Sequence, residues 1–287
     1  MSFSNSDSIL VTGGNGMLAL ALRKRLPAAH FADKNSLDIA DENSVRNFFA
    51  RFKPRILINC AAYTKVDQAE QEKKLANQIN GNAVGTLAKI CREHGTMLVH
   101  FSTDYVFDSP LRRPLRVDDP LSPRSAYGQS KLLGEQLLQQ NAPPDWLIIR
   151  TAWLYGPGGP SFPQTILSAA RAAKPLAVVD DQVGSPTFSD DLADATLQLL
   201  DRNARGIFHV ANDGQTSWHD FAAAILEEFA VQAKLSRSTS EQWKSQRPIS
   251  AIRPFYSVLD LSKFQAQTGH RPPPWRDALK RYHLAVG

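Results

Sequence analysis

The sequence predicts an α/β fold in which a doubly wound parallel sheet is followed by a smaller, irregular C-terminal portion. In the first half of the chain, short apolar runs alternate with segments of helical periodicity. This alternation is typical of βαβ units, whose right-handed crossovers place helices on both faces of a parallel sheet. Beyond Thr151 the alternation loosens and prolines become frequent, which indicates loops.

The elements follow from the apolar runs and from the glycines and prolines that bound them. In the first half, strands are predicted over 8–12, 29–32, 55–60, 97–102 and 146–150. Helices are predicted there over 17–26, 44–52, 69–94 (with a break near Lys73 left open) and 124–140. In the second half, helices are predicted over 162–173, 192–200 and 218–229, and strands over 176–179 and 207–210.

Composition excludes several classes of protein. Of the 287 residues, 43% are hydrophobic and 21% are charged, which excludes a disordered or collagen-like chain. The 33 basic and 28 acidic residues give a net charge of 33 − 28 = +5, and the basic residues are spread along the chain. We therefore expect no nucleic-acid partner. No apolar run approaches the roughly 18 residues that a membrane helix needs.

The compartment is predicted from the first residues and from the cysteines. Residues 1–8 contain no basic region and no long apolar stretch, so we predict no signal peptide. Cys60 and Cys91 are too few for a disulfide framework, and neither has the spacing of a metal site. These observations predict a cytoplasmic protein without a membrane partner.

A glycine-rich turn joins the first predicted strand to the first predicted helix. In Gly13-Gly14-Asn15-Gly16-Met17-Leu18-Ala19, the positions Gly13, Gly16 and Ala19 fit a Gly-x-x-Gly-x-x-Gly/Ala pattern. Such a turn brings backbone close to a pyrophosphate and opens a helix toward it. The pattern predicts a Rossmann-type dinucleotide-binding domain over 1–150, and over 151–287 a mainly substrate-binding portion with some segments returning to the sheet. A glycine-rich turn without a ligand is the alternative.

The end of the second predicted strand bears on the choice between the two nicotinamide dinucleotides. Asp33 favours a free ribose 2′-hydroxyl, whereas Lys34 favours a 2′-phosphate. A solvated turn pair explains the same two residues equally well. The preference is therefore open at this point.

Tyr127 and Lys131 form the second candidate site. Four residues apart on a helix, they share one face. An ammonium beside a phenol favours the phenolate and lowers its pKa from about 10 toward the working range. An exposed helix pair is the alternative for these two residues. Ser102, Thr103 and Asp104 end the fourth predicted strand, where parallel sheets bind ligands, although Thr103 alone also suits a turn or a helix cap.

These signals, in this order, resemble the extended, sugar-nucleotide-modifying branch of the short-chain dehydrogenase/reductase superfamily. Within it, the chain resembles the dTDP-4-dehydrorhamnose reductase family in five stretches that extend over nearly its whole length. These stretches are 59–70, 99–108, 150–156, 181–187 and 253–260.

The resemblance implies reduction of the C4 ketone of dTDP-4-dehydro-L-rhamnose to dTDP-L-rhamnose, in dTDP-rhamnose biosynthesis. NADPH is the implied cofactor, with NADH as an alternative hydride donor. Tyr127 is the implied proton donor, Lys131 lowers its pKa and holds the nicotinamide ribose, and Thr103 orients the carbonyl. The other implied cofactor-binding residues are Gly13, Gly16, Met17, Leu18, Asp38, Ile39, Ala62, Tyr63 and Thr64. The implied substrate-binding residues are Thr103, Asp104 and Trp153.

Two of these assignments have structural alternatives, and one property of the family is not expected here. Asp104 also suits a capping carboxylate, and Trp153 a core aromatic residue. Some relatives bridge a dimer through magnesium with a glutamate just inside the first helix, where this chain has Ala21. Asp190 or Asp191 is the nearby acidic counterpart later in the chain. We therefore expect no metal, and a homodimer is left open.

Two other functions stay open on the sequence. One is a reductase of a related dTDP- or UDP-linked 4-ketosugar, since the loops of the second half select the sugar. The other is a dinucleotide-binding regulatory subunit like that of methionine adenosyltransferase. The segment 235–260 contains cations that suit a diphosphate, with a solvated loop as the alternative.

Overall fold

A six-stranded parallel sheet forms the centre of the fold in the computed structural model, which describes residues 8–287. The strands are β1 (Ile9–Thr12), β2 (His30–Ala32), β3 (Ile56–Asn59), β4 (Met97–Thr103), β5 (Trp146–Thr151), β6 (Leu154–Tyr155), β7 (Leu176–Val179), β8 (Val183–Gly184), β9 (Thr187–Phe188), β10 (Gly206–His209), β11 (Thr216–Ser217) and β12 (Leu235–Ser238). The helices are α1 (Met17–Arg23), α2 (Glu42–Phe52), α3 (Lys73–Asn77), α4 (Ala83–His94), α5 (Ala126–Gln140), α6 (Phe162–Arg171), α7 (Ser189–Asp201), α8 (Trp218–Glu228), α9 (Ser240–Gln246), α10 (Ser262–Thr268) and α11 (Trp275–Val286). Residues 1–7, which hold most of the segment examined for a signal peptide, lie outside the described residues.

The strand order places a ligand-binding crevice beside β1. Across the sheet the order is β10-β5-β4-β3-β1-β2, and every neighbouring pair is parallel. The chain passes from β1 to β2 on one side and then returns to β3 on the other side. In open α/β sheets, ligands bind at the carboxyl ends of the strands at such a reversal.

Helices cover both faces of the sheet, as the sequence predicts for a doubly wound fold. On one face, an apolar cluster joins the strands to α1, α7 and α10. On the other face, a second cluster joins them to α2, α4 and α5. Within residues 8–287, no helix has both the length and the apolar character that crossing a membrane requires.

The second half of the chain builds a separate apolar cluster and contributes one strand to the main sheet. Buried residues of α6, α8 and α11 form this cluster together with β7 and β9. Three two-stranded pairs surround it, namely β6 with β9, β7 with β12, and β8 with β11. β10 instead pairs with β5 at the edge of the six-stranded sheet.

The prediction of a helix over 69–94 is confirmed as one regular α-helix only from Ala83 onward, and the break near Lys73 that the sequence left open is present. The structure has a 3₁₀ turn at Gln68–Glu70, then α3, then a π-helical turn at Gln78–Asn82, and only then α4. In the π turn, the buried side chain of Asn80 accepts a hydrogen bond from the Tyr63 backbone amide (2.8 Å) and donates one to the Tyr63 carbonyl (2.9 Å). A tertiary contact therefore fixes a backbone form that periodicity does not encode.

Four elements near the C-terminus were not predicted, namely β12, α9, α10 and α11. No residue of α9 is buried, and α10 buries only two residues, so neither leaves an apolar stripe in the sequence. α11 does leave such a stripe, since it buries Trp275, Ala278, Leu279 and Tyr282 after a proline. The signal for α11 was present in the sequence and was missed.

The packing of α5 against the π turn predicts the effect of enlarging one glycine. A Cβ atom at Gly134 would lie 2.1 Å from the Asn80 carbonyl oxygen. We expect Gly134→Ala to lower the free energy of unfolding by roughly 1–3 kcal/mol, because this contact is with backbone. Chemical denaturation measures the change. The matched control is Gly159→Ala, whose Cβ would meet only Met17 side-chain atoms at 3.5 and 3.6 Å. A stabilised Gly134→Ala protein would contradict the packing.

Candidate active site

A cleft of about 520 Å³ opens beside the glycine-rich turn, at the carboxyl ends of β1, β2 and β3. Gly13 has a φ of +66°, and a Cβ there would lie 2.7 Å from the Ala61 amide nitrogen. A side chain at this position would both strain the backbone and fill the floor of the cleft. Of the predicted cofactor-binding residues, those that line this cleft are Gly13, Gly16, Asp38, Ile39 and Ala62.

Met17 and Leu18 lie at the start of α1, outside the cleft wall. The Leu18 side chain is buried in the core. The Met17 side chain packs on the loop after β6, where a Cβ on Gly156 would lie 3.3 Å from Met17 Cγ. Gly16 precedes α1 without a side-chain cap, and the first turn holds no acidic residue. Any contact of Met17 and Leu18 with a phosphate therefore falls to their backbone amides.

Asp33 is already engaged by the turn that it begins. Its Oδ1 accepts hydrogen bonds from the backbone amides of Asn35 (3.1 Å) and Ser36 (3.0 Å), and its Oδ2 accepts one from Asn15 Nδ2 (3.2 Å). The hydrogen bonds from Ser36 hold the pKa of this carboxyl below its ordinary value. Lys34 lines the same end of the cleft.

Thr103, Asp104 and Tyr127 lie together at the carboxyl end of β4. The Thr103 hydroxyl accepts a hydrogen bond from the Tyr105 amide (3.2 Å) and donates one to Asp104 Oδ1 (3.0 Å). Burial raises the pKa of Tyr127 to about 12, and the neighbouring Thr103 hydroxyl opposes this rise. The phenol is therefore neutral at physiological pH and carries a proton that it can donate.

Lys131 lies under this group and takes its contacts from β4. Its Nζ donates a hydrogen bond to the Phe101 carbonyl (2.5 Å) and lies 3.2 Å from His100 Nε2. Burial lowers the pKa of Lys131 to about 8, and the charge of Glu135 opposes the change. The sequence predicts that Lys131 lowers the pKa of Tyr127, whereas in the structure burial is the dominant influence on that pKa.

Three buried polar atoms at the ends of β4 and β5 have no hydrogen-bond partner within residues 8–287. They are Ser102 Oγ, Asp104 Oδ2 and Thr151 Oγ1. Burial raises the pKa of Asp104 to about 6. Unpartnered buried polar atoms are rare in proteins and call for an explanation. Together with the glycine cradle at Gly13, they fit a polar cofactor and substrate at this edge of the sheet.

Trp153 lies in a strained loop next to this edge. Its φ is +47°, which is unusual for a residue with a large side chain. Its ring stacks on Trp218 with 3.5 Å between centroids and 7° between planes, and a Cβ at Gly184 would lie 2.5 Å from its Cε2. Strain of this kind persists where the surroundings impose it, and it clusters at functional sites.

Tyr63 is buried, and Thr64 beside it is exposed. The Tyr63 hydroxyl donates a hydrogen bond to Glu72 Oε2 (2.6 Å), so this phenol has a structural partner. Sequence reasoning missed three residues that join the site to the core, namely Asn59, Asn80 and His100. The signal for Asn59 and His100 was a polar residue within an apolar segment, as in Ile-Leu-Ile-Asn and Met-Leu-Val-His. Asn80 lies in Gln-Ile-Asn-Gly-Asn and left no such signal.

The candidate cations of 235–260 separate into those near the site and those remote from it. Arg253 pairs with Asp67 (2.9 Å) and interacts with the Tyr105 phenol. Tyr105 in turn packs edge-on against Tyr127, with 5.6 Å between ring centroids. Arg247 stacks on Trp243, with 3.7 Å from its Cζ to the ring centroid, and its charge also acts on Asp67. Arg237 instead pairs with Asp180 and Asp220.

The acidic residues considered for a metal have cationic partners. Asp190 pairs with Lys24 (3.2 Å), and Asp191 pairs with Arg281, while Ala21 is buried in the core. Asp180, His219 and Asp220 place one ligand atom each within 4.8 Å of one another. Arg237 forms ion pairs with both of these carboxylates and so supplies positive charge there already.

Comparison with known proteins gives one consistent family. The family model described as "RmlD substrate binding domain" matches residues 7–286. The spore coat polysaccharide biosynthesis protein SpsK of Bacillus subtilis is 42% identical, over 96% of each chain. The dTDP-4-dehydrorhamnose reductase of Streptomyces griseus is 39% identical, over 94% of this chain and 91% of its own. The crystal structure of the Bacillus anthracis dTDP-4-dehydrorhamnose reductase in complex with NADP superposes with a TM-score of 0.91 at 32% identity, over 97% of this chain and 99% of its own.

Burial of Asp104 predicts how stability depends on pH. Its pKa in the folded protein, about 6, exceeds the ordinary value of 3.8, so folding favours the protonated carboxyl. The contribution of this group is therefore present below about pH 4 and is lost as the pH rises through about 6. We expect Asp104→Asn to remove this loss, so that between about pH 4 and pH 7 the variant gains about 2 kcal/mol of unfolding free energy relative to the parent protein.

Urea denaturation of the cofactor-free protein at both pH values measures this difference. Asp33→Asn is the matched control with the opposite sign, because hydrogen bonds lower the pKa of Asp33. That variant loses stability relative to the parent protein as the pH rises from about 3 to neutrality. If the free energies of unfolding of Asp104→Asn and of the parent protein changed in parallel with pH, the raised pKa of Asp104 would be contradicted.

Proposed function

The chain belongs to the dTDP-4-dehydrorhamnose reductase family, and we propose that it is the NADPH-dependent reductase that converts dTDP-4-dehydro-L-rhamnose to dTDP-L-rhamnose. One observation supports this most directly. The neutral Tyr127 phenol, the Thr103 hydroxyl and the buried Asp104 carboxyl lie together at the carboxyl end of β4, on the same edge of the sheet as the glycine-lined cleft.

The reaction needs a hydride and a proton, which come from different places. Bound NADPH supplies the hydride to C4 of the sugar. Tyr127 supplies the proton to the C4 oxygen, because burial keeps its phenol protonated. The developing alkoxide is a stronger base than a phenolate, so the transfer is downhill even from a phenol whose pKa is raised.

Thr103 and Lys131 prepare this transfer. The Thr103 hydroxyl interacts with the phenol and is held by its contacts with the Tyr105 amide and Asp104. From there it orients the sugar carbonyl by a hydrogen bond. Lys131, fixed on the Phe101 carbonyl, holds the ribose hydroxyls of the cofactor on the Tyr127 side of the cleft.

The remaining parts of the proposal concern binding and cellular context. We assign Gly13, Gly16, Asp38, Ile39 and Ala62 to the cofactor because they line the cleft, and Met17 and Leu18 through their amides. Tyr63 and Thr64 belong to the nicotinamide side, and Asp104 and Trp153 to the sugar. Residues 1–150 then bind mainly cofactor and 151–287 mainly substrate. We place the reaction in the cytoplasm and leave a homodimer open.

The sugar is the part of the proposal that most needs a direct assay. SpsK is named only for polysaccharide biosynthesis, so a related dTDP- or UDP-4-ketosugar is the competing substrate. Initial rates across a panel of such ketosugars decide between them, with dTDP-4-dehydro-L-rhamnose expected to give the highest kcat/KM. Oxidation of NADPH with none of them, together with co-purification of a methionine adenosyltransferase, would instead favour a regulatory subunit.

Removal of the Tyr127 hydroxyl tests the proton donor. We expect Tyr127→Phe to lower kcat by about a hundredfold or more, while the Kd for NADPH stays within about twofold. Loss of NADPH absorbance and fluorescence titration measure the two quantities. Tyr282→Phe is the control, because Tyr282 is buried between α11 and the aromatic residues of the second-half cluster. Unchanged turnover in Tyr127→Phe would remove the phenol from the mechanism.

Lys34 tests the preference for NADPH over NADH. Lys34 is a cation that lines the cleft, and a cation suits a 2′-phosphate. We expect Lys34→Ala to weaken NADPH binding about tenfold and to leave NADH binding unchanged. Lys89→Ala, on the exposed side of α4, controls for the loss of one positive charge. Equal weakening of both cofactors would contradict this role.

A further inference from the structure

Lys131 ends a continuous chain of buried hydrogen bonds that crosses three strands. Thr12 Oγ1 on β1 donates to Asn59 Oδ1 on β3 (2.7 Å). Asn59 Nδ2 lies 3.2 Å from His100 Nδ1 on β4, and His100 Nε2 lies 3.2 Å from Lys131 Nζ. All four side chains are at least 98% buried, so water does not compete for these contacts.

The direction of each hydrogen bond in this chain is fixed by one backbone amide. The Ala61 N–H also donates to Asn59 Oδ1 (3.2 Å), and an N–H can only donate. The oxygen of the Asn59 amide therefore faces Ala61 and Thr12, and its NH₂ group faces His100. It follows that His100 Nδ1 accepts.

A neutral imidazole that accepts at Nδ1 carries its hydrogen on Nε2. His100 is neutral, because burial holds its pKa well below the ordinary value. Its Nε2–H therefore points at Lys131 Nζ. An amine can accept this hydrogen bond through its lone pair, whereas an ammonium cannot, since it has donors only.

We propose that Asn59 and His100 are positioning residues that fix this tautomer, present an N–H to the Lys131 amine, and thereby set the pH at which Lys131 gains its proton. This role rests on the proposed reductase function for its purpose, since it governs the charge beside the cofactor ribose. The geometry itself involves no ligand.

Other titratable and charged groups face Lys131 and act on its charge. Glu135 lies one turn further along α5 and favours the ammonium. Its carboxylate is itself paired with the buried Arg150 of β5 (2.7 Å). Tyr127 lies one turn earlier on α5, and Asp104 lies beside that phenol. Against these, His100 is the titratable group of β4 within hydrogen-bond distance of Nζ. The Phe101 carbonyl of the same strand accepts from Nζ and favours the ammonium.

The chain of hydrogen bonds from Thr12 to Lys131 predicts that binding of the cofactor is coupled to the uptake of a proton. Ribose hydroxyls offer acceptor oxygens to Nζ, and additional acceptors favour the ammonium form. The aligned donor at His100 opposes that form in the free protein. Near pH 8, where burial places the pKa of Lys131, a measurable fraction of a proton is therefore taken up when NADP⁺ binds.

The substitution Asn59→Asp reverses the direction of the hydrogen bonds at His100 and changes the shape of the side chain at position 59 very little. A carboxylate accepts on both oxygens, so it keeps the contacts with Thr12 and Ala61 and also accepts from His100 Nδ1–H. Nε2 then becomes an acceptor for the Lys131 ammonium. We expect ¹⁵N NMR of histidine-labelled protein to show His100 as the Nε2–H tautomer in the parent protein and as the Nδ1–H tautomer in Asn59→Asp. The His100 signal is assigned by its absence in His100→Gln.

Two further measurements report the consequence for Lys131. In Asn59→Asp, the alkaline limb of the kcat/KM profile moves up by at least about one pH unit, a tenfold change in the proton affinity. Proton uptake on NADP⁺ binding, from calorimetry in buffers of different ionisation enthalpy, falls toward zero near pH 8. Thr12→Val is the control, because it removes the hydrogen bond to Asn59 and leaves the direction of the other hydrogen bonds unchanged. The His100 tautomer and the alkaline limb of the kcat/KM profile therefore stay as in the parent protein.

The outcomes separate this role from the proposed function. An Nδ1–H tautomer in the parent protein overturns the role, whether or not the Asn59→Asp protein folds. A reversed tautomer with no change in proton uptake overturns the link to Lys131. Failure of every ketosugar to support turnover would count against the reductase and leave the NMR result intact.

Discussion

The buried contact between the Lys131 amine and the Phe101 carbonyl joins α5 to β4, and the site depends on this junction. α5 carries Tyr127 and Lys131, whereas β4 carries Thr103 and Asp104 at its carboxyl end. Two other contacts hold the helix in register, namely the buried Glu135–Arg150 pair and the approach of Gly134 to the Asn80 carbonyl. The reacting groups meet because buried polar or backbone contacts fix α5 to β4, to β5 and to the π turn.

Polar contacts of this kind stabilise only if every partner is present. A buried charge that loses its partner destabilises a protein by several kcal/mol, and an unpaired buried hydroxyl also costs free energy. The protein satisfies the polar groups that hold α5, yet Ser102 Oγ, Asp104 Oδ2 and Thr151 Oγ1 find no hydrogen-bond partner among residues 8–287. Stability is thus concentrated in the support of the site, and the unpaired atoms lie where ligand atoms would pair with them.

The sequence predicted features that are formed by residues close together along the chain, and it did not predict contacts between distant segments. The glycine turn and the Tyr127–Lys131 spacing are local, and the structure has both in the predicted elements. The alternation of strands and helices likewise predicted the doubly wound sheet. The π turn at Asn80, the stacking of Trp153 on Trp218 and the contact of Asn59 with His100 join segments 17, 65 and 41 residues apart. No periodicity encodes such pairs, so the sequence showed only isolated polar or aromatic residues where the structure has a network.

Burial shifts the pKa values of Tyr127 and Lys131 in opposite directions, and both shifts suit a reduction. Desolvation disfavours the charged form of any group, so it raises the pKa of Tyr127 to about 12 and lowers the pKa of Lys131 to about 8. The phenol consequently keeps the proton that a reduction consumes. The lysine becomes a group whose charge responds to its hydrogen-bond partners near physiological pH. In a solvated pair, the phenol would lose its proton at a lower pH, and the ammonium would respond less to such partners because it would interact mainly with water. The burial of α5 against β4 therefore sets the protonation states of Tyr127 and Lys131 before any ligand binds.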